Sequence, residues 1–269
     1  EFDIGTAGSI GLLLQCVAPV SAFSDSMVTL RVIGGTAVRW SPPVHILDKV
    51  IWQALRNMGF VGGITIQREG FYPRGGGIVD VTIDPMREVR PLSADAKGEV
   101  RHVLGVSKCG RLPRHVAERQ ARSAQDVLAN AGYKSEISVR VAEGGDATFS
   151  PGSLICLWAE SDPEMFIGAS SLGERGKRAE KVGSEAATSL IEEINSFTAV
   201  DMHTADNLVL WCSLAGGESV YTTSRLTMHT RTAIELAKIF TDAEFEVEGA
   251  PDGFAKIRCS GVGLKNPNA

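Results

Sequence analysis

The sequence predicts an α/β protein of the α+β kind, built from a repeated βαβαββ unit with a different, smaller α/β domain inserted. Two observations predict this. The order helix, strand, helix, strand, strand occurs near both ends of the chain, and the stretch from about Glu99 to Phe197 follows another order. The domain reading is a main domain over 1–98 carrying one repeat, an insert over 99–197, and the main domain continued over 198–269 with the final repeat.

In the first copy, IGTAGSIGLLLQCVAPVSAF sets Gly5, Gly8 and Ser9 ahead of an apolar helix, and MVTLRVIGG reads as a strand. SPPVHILDKVIWQALRNMGF opens on prolines suited to a first helical turn and ends near Gly59. GITIQREG and GGIVDVTID follow as strands. The insert opens with strand EVRHVLGVS and helix PRHVAERQARSAQDVLANAG. Strands SEISVRVAE, SLICLWAE and MFIGASS come next, then a long helix from about Lys177 to Asn195. The polar, turn-forming segments PMREVRPLSADAKG and NSFTAVD mark its edges. The second copy reads HTADNLVLWCSLAGG (helix), ESVYTTS (strand), HTRTAIELAKIF (helix), AEFEVEG and FAKIRCSG (strands).

A chain of 269 residues, 43% hydrophobic, can bury one large core or two smaller ones. No stretch approaches the roughly twenty apolar residues of a membrane span, and no basic region leads into a cleavable apolar run. Five cysteines, odd in number and outside any CxxC spacing, argue against a disulfide framework or a zinc site and for reducing cytoplasm. A net charge of -5 speaks against coating long nucleic acid but leaves room for a small basic pocket. The chain opens at Glu1-Phe2-Asp3, already extended towards a glycine turn, and reads as a piece of a longer protein.

EGFYPRGGGIVDV packs Pro73, Arg74 and Gly75 to Gly77 between two strands. Residue types favour a tight hairpin in which glycine supplies positive φ; the alternative is a bare backbone that another segment or a phosphate approaches closely. FYPRGGG, with IGTAGS, the GGT of IGGTAVRWSPP, LPRHVAER, SPGSLICLWAE and the closing ADNLVLWCSLAGG and MHT, resembles the RNA 3'-terminal phosphate cyclases, the archaeal-type members most closely. The resemblance runs the whole length of the chain.

The resemblance implies repeated units like the C-terminal domain of translation initiation factor three, with a thioredoxin-like insert. Family members carry three units. This chain shows two, which places the first, with its glutamate, glutamine and arginine contacts, before Glu1. The implied reaction uses ATP and a divalent cation, magnesium or manganese, to convert an RNA 3'-phosphate end to a 2',3'-cyclic phosphate through an adenylyl-histidine. His229 falls at the adenylated position. Taken alone it is more often a cap or surface residue, yet neutral imidazole is a competent nucleophile and a helix N-terminus offers N–H groups to phosphate oxygens.

The resemblance also places His203, Thr204, Ala205, Asp206 and Asn207 on the nucleotide, Asp206 orienting His229 or touching a metal-bound phosphate. Gln15 matches a second nucleotide contact, and Ser41-Pro42-Pro43 a rigid wall near it, although a helix start explains those prolines equally well. The chain departs from the family at Asn207 (usually glutamine), Ala233 (asparagine), Ala37 (aspartate) and Glu69 (a basic residue). A catalytically inert relative serving as a ribosome-biogenesis or RNA-binding factor is the alternative; such relatives lack the histidine. A third reading, an enolpyruvyl-type transferase of similar repeated units, lacks its basic substrate motifs here. His45, His115 and His102 read as structural histidines, and Arg111, Arg114, Arg119 and Arg122 as either a phosphate-facing patch or a solvated helix face.

Overall fold

The first unit of the computed structural model, which describes residues 1–96, 98–162, 165–267 and 269, follows the expected order. It runs β1 (Phe2–Asp3), α1 (Ile10–Ala22), β2 (Val28–Gly34), a helical segment, β3 (Gly62–Arg68) and β4 (Gly77–Ile83). The helical segment is α2 (Val44–Ile46), a π-helical turn over Leu47–Ile51, and α3 (Trp52–Asn57). Helix α1 starts where Ser9 Oγ accepts from the Leu12 N–H at 3.1 Å, and it buries Ile10, Leu14, Ala18 and Ala22, one helical face. Along β4, Val79, Val81 and Ile83 alternate inward with the period of two. The sheet order is β1-β2-β4-β3, with β1 parallel to β2 and the other pairs antiparallel.

The second unit differs from the expected boundaries. Its first strand is β5 (Ser93–Ala94), upstream of the insert and inside the segment read as a polar edge. It lies parallel to β10 (Glu218–Thr223), and beyond the insert Val200 bridges Thr223 of the same strand, again parallel. The insert therefore leaves and re-enters along one edge. The first unit repeats this geometry: β1 lies parallel to β2, and Ser9 then bridges Gly35, with IGTAGS in the insert's place. After Val200 come α6 (Met202–Leu214), β10, α7 (Met228–Phe240), β11 (Glu244–Gly249) and β12 (Ala255–Ser260), in sheet order β11-β12-β10-β5.

The insert contains β6 (Glu99–Gly110), α4 (His115–Asn130), β7 (Ser135–Ala142), β8 (Gly152–Asp162), β9 (Met165–Leu172) and α5 (Ala179–Asn195). Its sheet order β7-β6-β8-β9, with only β6 and β7 parallel, is the thioredoxin-like arrangement. Ile155, Leu157 and Ala159 of β8 face the helices, packing with Ala121, Leu128, Val182 and Leu190. The alternate residues Leu154 and Cys156 face the first unit, meeting Ala37, Ile46, Val50 and Phe71. Burial on both faces explains why SLICLWA is apolar throughout rather than alternating.

The two repeats share one core, in which Phe60 stands edge-on to Trp52 at 5.0 Å and to Trp211 at 5.2 Å between ring centroids. The Phe71–Gly77 loop fulfils both readings of its glycines. Gly75 and Gly76 have φ of +65° and +68°, and a Cβ on Gly75 would strike the backbone of Thr6 and Ala7, so the two glycine loops touch. All five cysteines are free, and among the described residues no helix is long and apolar enough to cross a membrane.

Candidate active site

His229 stands in the first turn of α7, whose N-cap is Thr227. The Thr227 Oγ1 accepts from the Thr230 N–H at 3.1 Å, and the two threonine hydroxyls lie 3.0 Å apart. The N–H groups of Met228 and His229 have no intrahelical carbonyl to reach, which follows from helix geometry. His229 is exposed. Beside it, α6 starts at Asp201, whose carboxylate accepts from the N–H groups of His203 at 3.0 Å and Thr204 at 2.8 Å. This cap satisfies first-turn N–H groups of α6, whose buried face is formed by Ala205, Leu208, Val209 and Cys212.

A cleft of about 470 Å³ brings together Gln15 of α1, Asp206 and Asn207 of α6, and His229 of α7. Its apolar wall includes Leu47, Ile51 and Trp52 from the π-helical turn and the start of α3. These wall residues were not anticipated as site residues; their local sequence reads only as a core helix. Asn207 Nδ2 donates to Asp206 Oδ1 and to the His203 carbonyl, each at 2.8 Å. The Asp206 carboxyl titrates above its ordinary value because burial outweighs the opposing influence of His203, Asn207 and His229. Asp206 and His229 thus line the same cleft.

Not all candidates gather there. The Thr204 and Ala205 side chains are fully buried: Thr204 Oγ1 donates to Asp201 at 2.9 Å, and the Ala205 carbonyl accepts from the Tyr221 hydroxyl at 3.0 Å. His203 is exposed beside the cleft rather than lining it. Pro42 and Pro43 do not form a wall of the cleft, since Pro43 caps α2 and Ser41 Oγ lies 2.6 Å from Ser9 Oγ. Two of the arginines at the start of α4 have carboxylate partners: Arg114 pairs with Glu118 at 2.8 Å, and Arg119 makes a two-bond fork to Glu180 at 2.6 and 2.8 Å. His45 is structural, its Nε2 lying 2.8 Å from Glu69 Oε1.

Asp206 is the only acidic side chain lining the cleft, and no group of three His, Cys, Asp or Glu side chains among the described residues could hold a metal ion.

Known proteins match the chain along nearly its whole length. Residues 1–247 fit the family model described as RTC: RNA 3'-terminal phosphate cyclase. The chain is similar to the RNA 3'-terminal phosphate cyclase of Staphylothermus marinus, 42% identical over 268 residues that cover 98% of this chain and 75% of that protein. That of Caldivirga maquilingensis is 46% identical over 248 residues, 91% of this chain and 70% of the relative. That of Methanopyrus kandleri is 41% identical over 251 residues, 93% and 71%. A helix-start histidine and an aspartate of the neighbouring helix, sharing one cleft with Gln15 of the other repeat, together with this span of similarity, lead to one conclusion: the chain belongs to the RNA 3'-terminal phosphate cyclase family, whose curated members are ligase-type enzymes.

Proposed function

We propose that this chain carries the ATP-dependent conversion of an RNA 3'-phosphate end to a 2',3'-cyclic phosphate, with His229 as the nucleophile. The observation that carries the reading is the shared cleft of Gln15, Asp206, Asn207 and His229. In the first step a ring nitrogen of His229 attacks the α-phosphorus of ATP; the P–N bond forms, the bond to the β-phosphate oxygen breaks, and pyrophosphate leaves. A positive charge develops on the ring, and the Asp206 carboxylate is the group able to offset it. First-turn N–H groups of α7 suit the non-bridging oxygens of the transferring phosphorus.

In the second step an oxygen of the RNA 3'-phosphate attacks the same phosphorus and the P–N bond breaks, returning neutral His229. The terminal phosphate then carries AMP as a leaving group. The vicinal 2'-hydroxyl attacks that terminal phosphorus; the new P–O bond closes the cyclic phosphate, the anhydride bond to AMP breaks, AMP leaves, and the hydroxyl proton is lost. This closure asks mainly for positioning, since nucleophile and electrophile share a ribose. Asn207 and Gln15 are the polar side chains available to orient the nucleotide.

The test is incubation with α-labelled ATP and a divalent cation. The expected product is labelled protein whose label is acid-labile and alkali-resistant, lost in His229→Ala, and released as labelled AMP when RNA ending in a 3'-phosphate is added. Labelling that persists unchanged in His229→Ala overturns the assignment.

A further inference from the structure

A second cavity, of about 1160 Å³, exceeds the His229 cleft and lies where the insert meets the first unit. Trp40 and Tyr72 on its rim are 93% and 77% exposed. Trp40 also has φ of +60°, the left-handed region that disfavours a bulky side chain. A large aromatic held in water on an unfavourable backbone has no packing role to explain it.

The cavity continues through Gly152, Ser153, Gly173 and Arg175 into a hollow of about 450 Å³ on the insert. Five cations line the two together: Arg39, Arg119, Arg175, Lys177 and Arg178. Glu174 is the one carboxylate lining them; even with Glu180 and Glu185, the partners of Arg119 and Lys177, five cations face three acids. The local sign is therefore opposite to the chain's net charge of -5. Arg175 and Arg178 form no ion pair among the described residues. The groove also connects to the chemistry: Leu12 lines it and Gln15 lines the His229 cleft, one helical turn apart on the same face of α1.

Exposed aromatic platforms beside a cationic track are what single-stranded nucleic acid requires, because every base has a π-face to stack and every linkage a charge to neutralise. We propose that this groove binds the single-stranded RNA leading to the reacting 3' end, with Trp40 and Tyr72 stacking on bases and Arg175 and Arg178 taking backbone phosphates. The proposal rests on the reading that the substrate is an RNA 3'-phosphate.

The experiment measures binding of 5'-fluorescein-labelled single-stranded RNA ending in a 3'-phosphate, by anisotropy across a salt series. Trp40→Gly is the informative variant, because glycine adopts positive φ without strain, so the folded chain should melt no lower than the parent. Its RNA Kd should rise about tenfold, the loss of one stacked base. Arg175→Ala and Arg178→Ala should each flatten the salt dependence by about 0.7 in log–log slope. Equal Kd values for the parent and Trp40→Gly, or a parent that binds no RNA, overturn the groove. A chain that binds RNA through Trp40 yet never adenylates His229 leaves the groove standing and overturns the catalytic reading instead.

Discussion

Lys108 Nζ lies 2.6 Å from Glu69 Oε1, tying the central strand of the insert to the first unit through a carboxylate that is only 2% exposed. Thr36 Oγ1 donates to the other oxygen of Glu69, and His45 lies against the first. Both oxygens of this buried acid are thus matched. The junction beneath the proposed RNA groove is thus held by a satisfied buried charge as well as by the apolar contacts around Phe71.

Burial alone would raise the titration of Glu69, but His45 and then Lys108 outweigh it and bring the carboxyl down from 4.5 to about 2. A folded value below the unfolded one contributes stability above the unfolded value and loses it as pH falls through the folded value. Urea unfolding should therefore show a loss on the order of 3 kcal/mol between about pH 5 and pH 2, flattened in Glu69→Gln. At neutral pH, Lys108→Met should cost about 3 kcal/mol by stranding the buried carboxylate. The double variant Glu69→Gln/Lys108→Met should cost less than Lys108→Met alone. An unchanged pH profile in Glu69→Gln would remove the carboxylate from this role.

Glu193 of α5 has the opposite sign. Burial first, and then the nearby charge of Asp201, push its carboxyl up to about 7, and its buried Oε2 has no hydrogen-bond partner among the described residues. A raised folded value means that stability is lost as pH climbs from the unfolded range through about 7. Glu193→Gln should therefore raise unfolding free energy by about 1–2 kcal/mol at pH 8 and leave it nearly unchanged at pH 4. Thermal melts at the two pH values check this; equal gains at both would point to packing rather than charge.

Thr227 caps the helix that presents His229. Thr227→Ala should cost about 1 kcal/mol of stability, and Thr227→Ser most of an order less, since serine keeps the accepting oxygen. If the first turn of α7 positions the nucleophile, adenylation by Thr227→Ala should fall about tenfold further than its folded fraction explains. Labelling rates measured well below the melting midpoint separate the two effects.

Much of the molecule is legible from sequence because its signals are local. The alternation in β4, the glycine-rich start with Ser9 ahead of α1, and the apolar run SLICLWA each draw their meaning from a few neighbouring residues, and they define elements of the first unit and of the insert. The quoted motifs carry the family, and DMHTADN and MHT put Asp206, Asn207 and His229 near helix starts. The cap at Asp201 follows a local rule as well, and α6 starts at Met202, one residue before the predicted start at His203. What lay outside local reach was decided by pairing across the chain. Strand β5 is two residues long and exists because β10 accepts it from far along the chain; no periodicity can announce a strand that short. Thr204 and Ala205 share the motif with Asp206 yet turn inward, because the Asp201 cap and the Tyr221 hydroxyl, brought from β10, set the face that α6 buries. Gln15 meets His229 only when the two repeats close on one core. The same closure gives Glu69 its lysine, whereas Arg119 finds its carboxylate within the insert's own helix pair. Side-chain type and spacing specify what a residue can do; which partner it meets depends on long-range packing, where burial and charge pairing outweigh local preference.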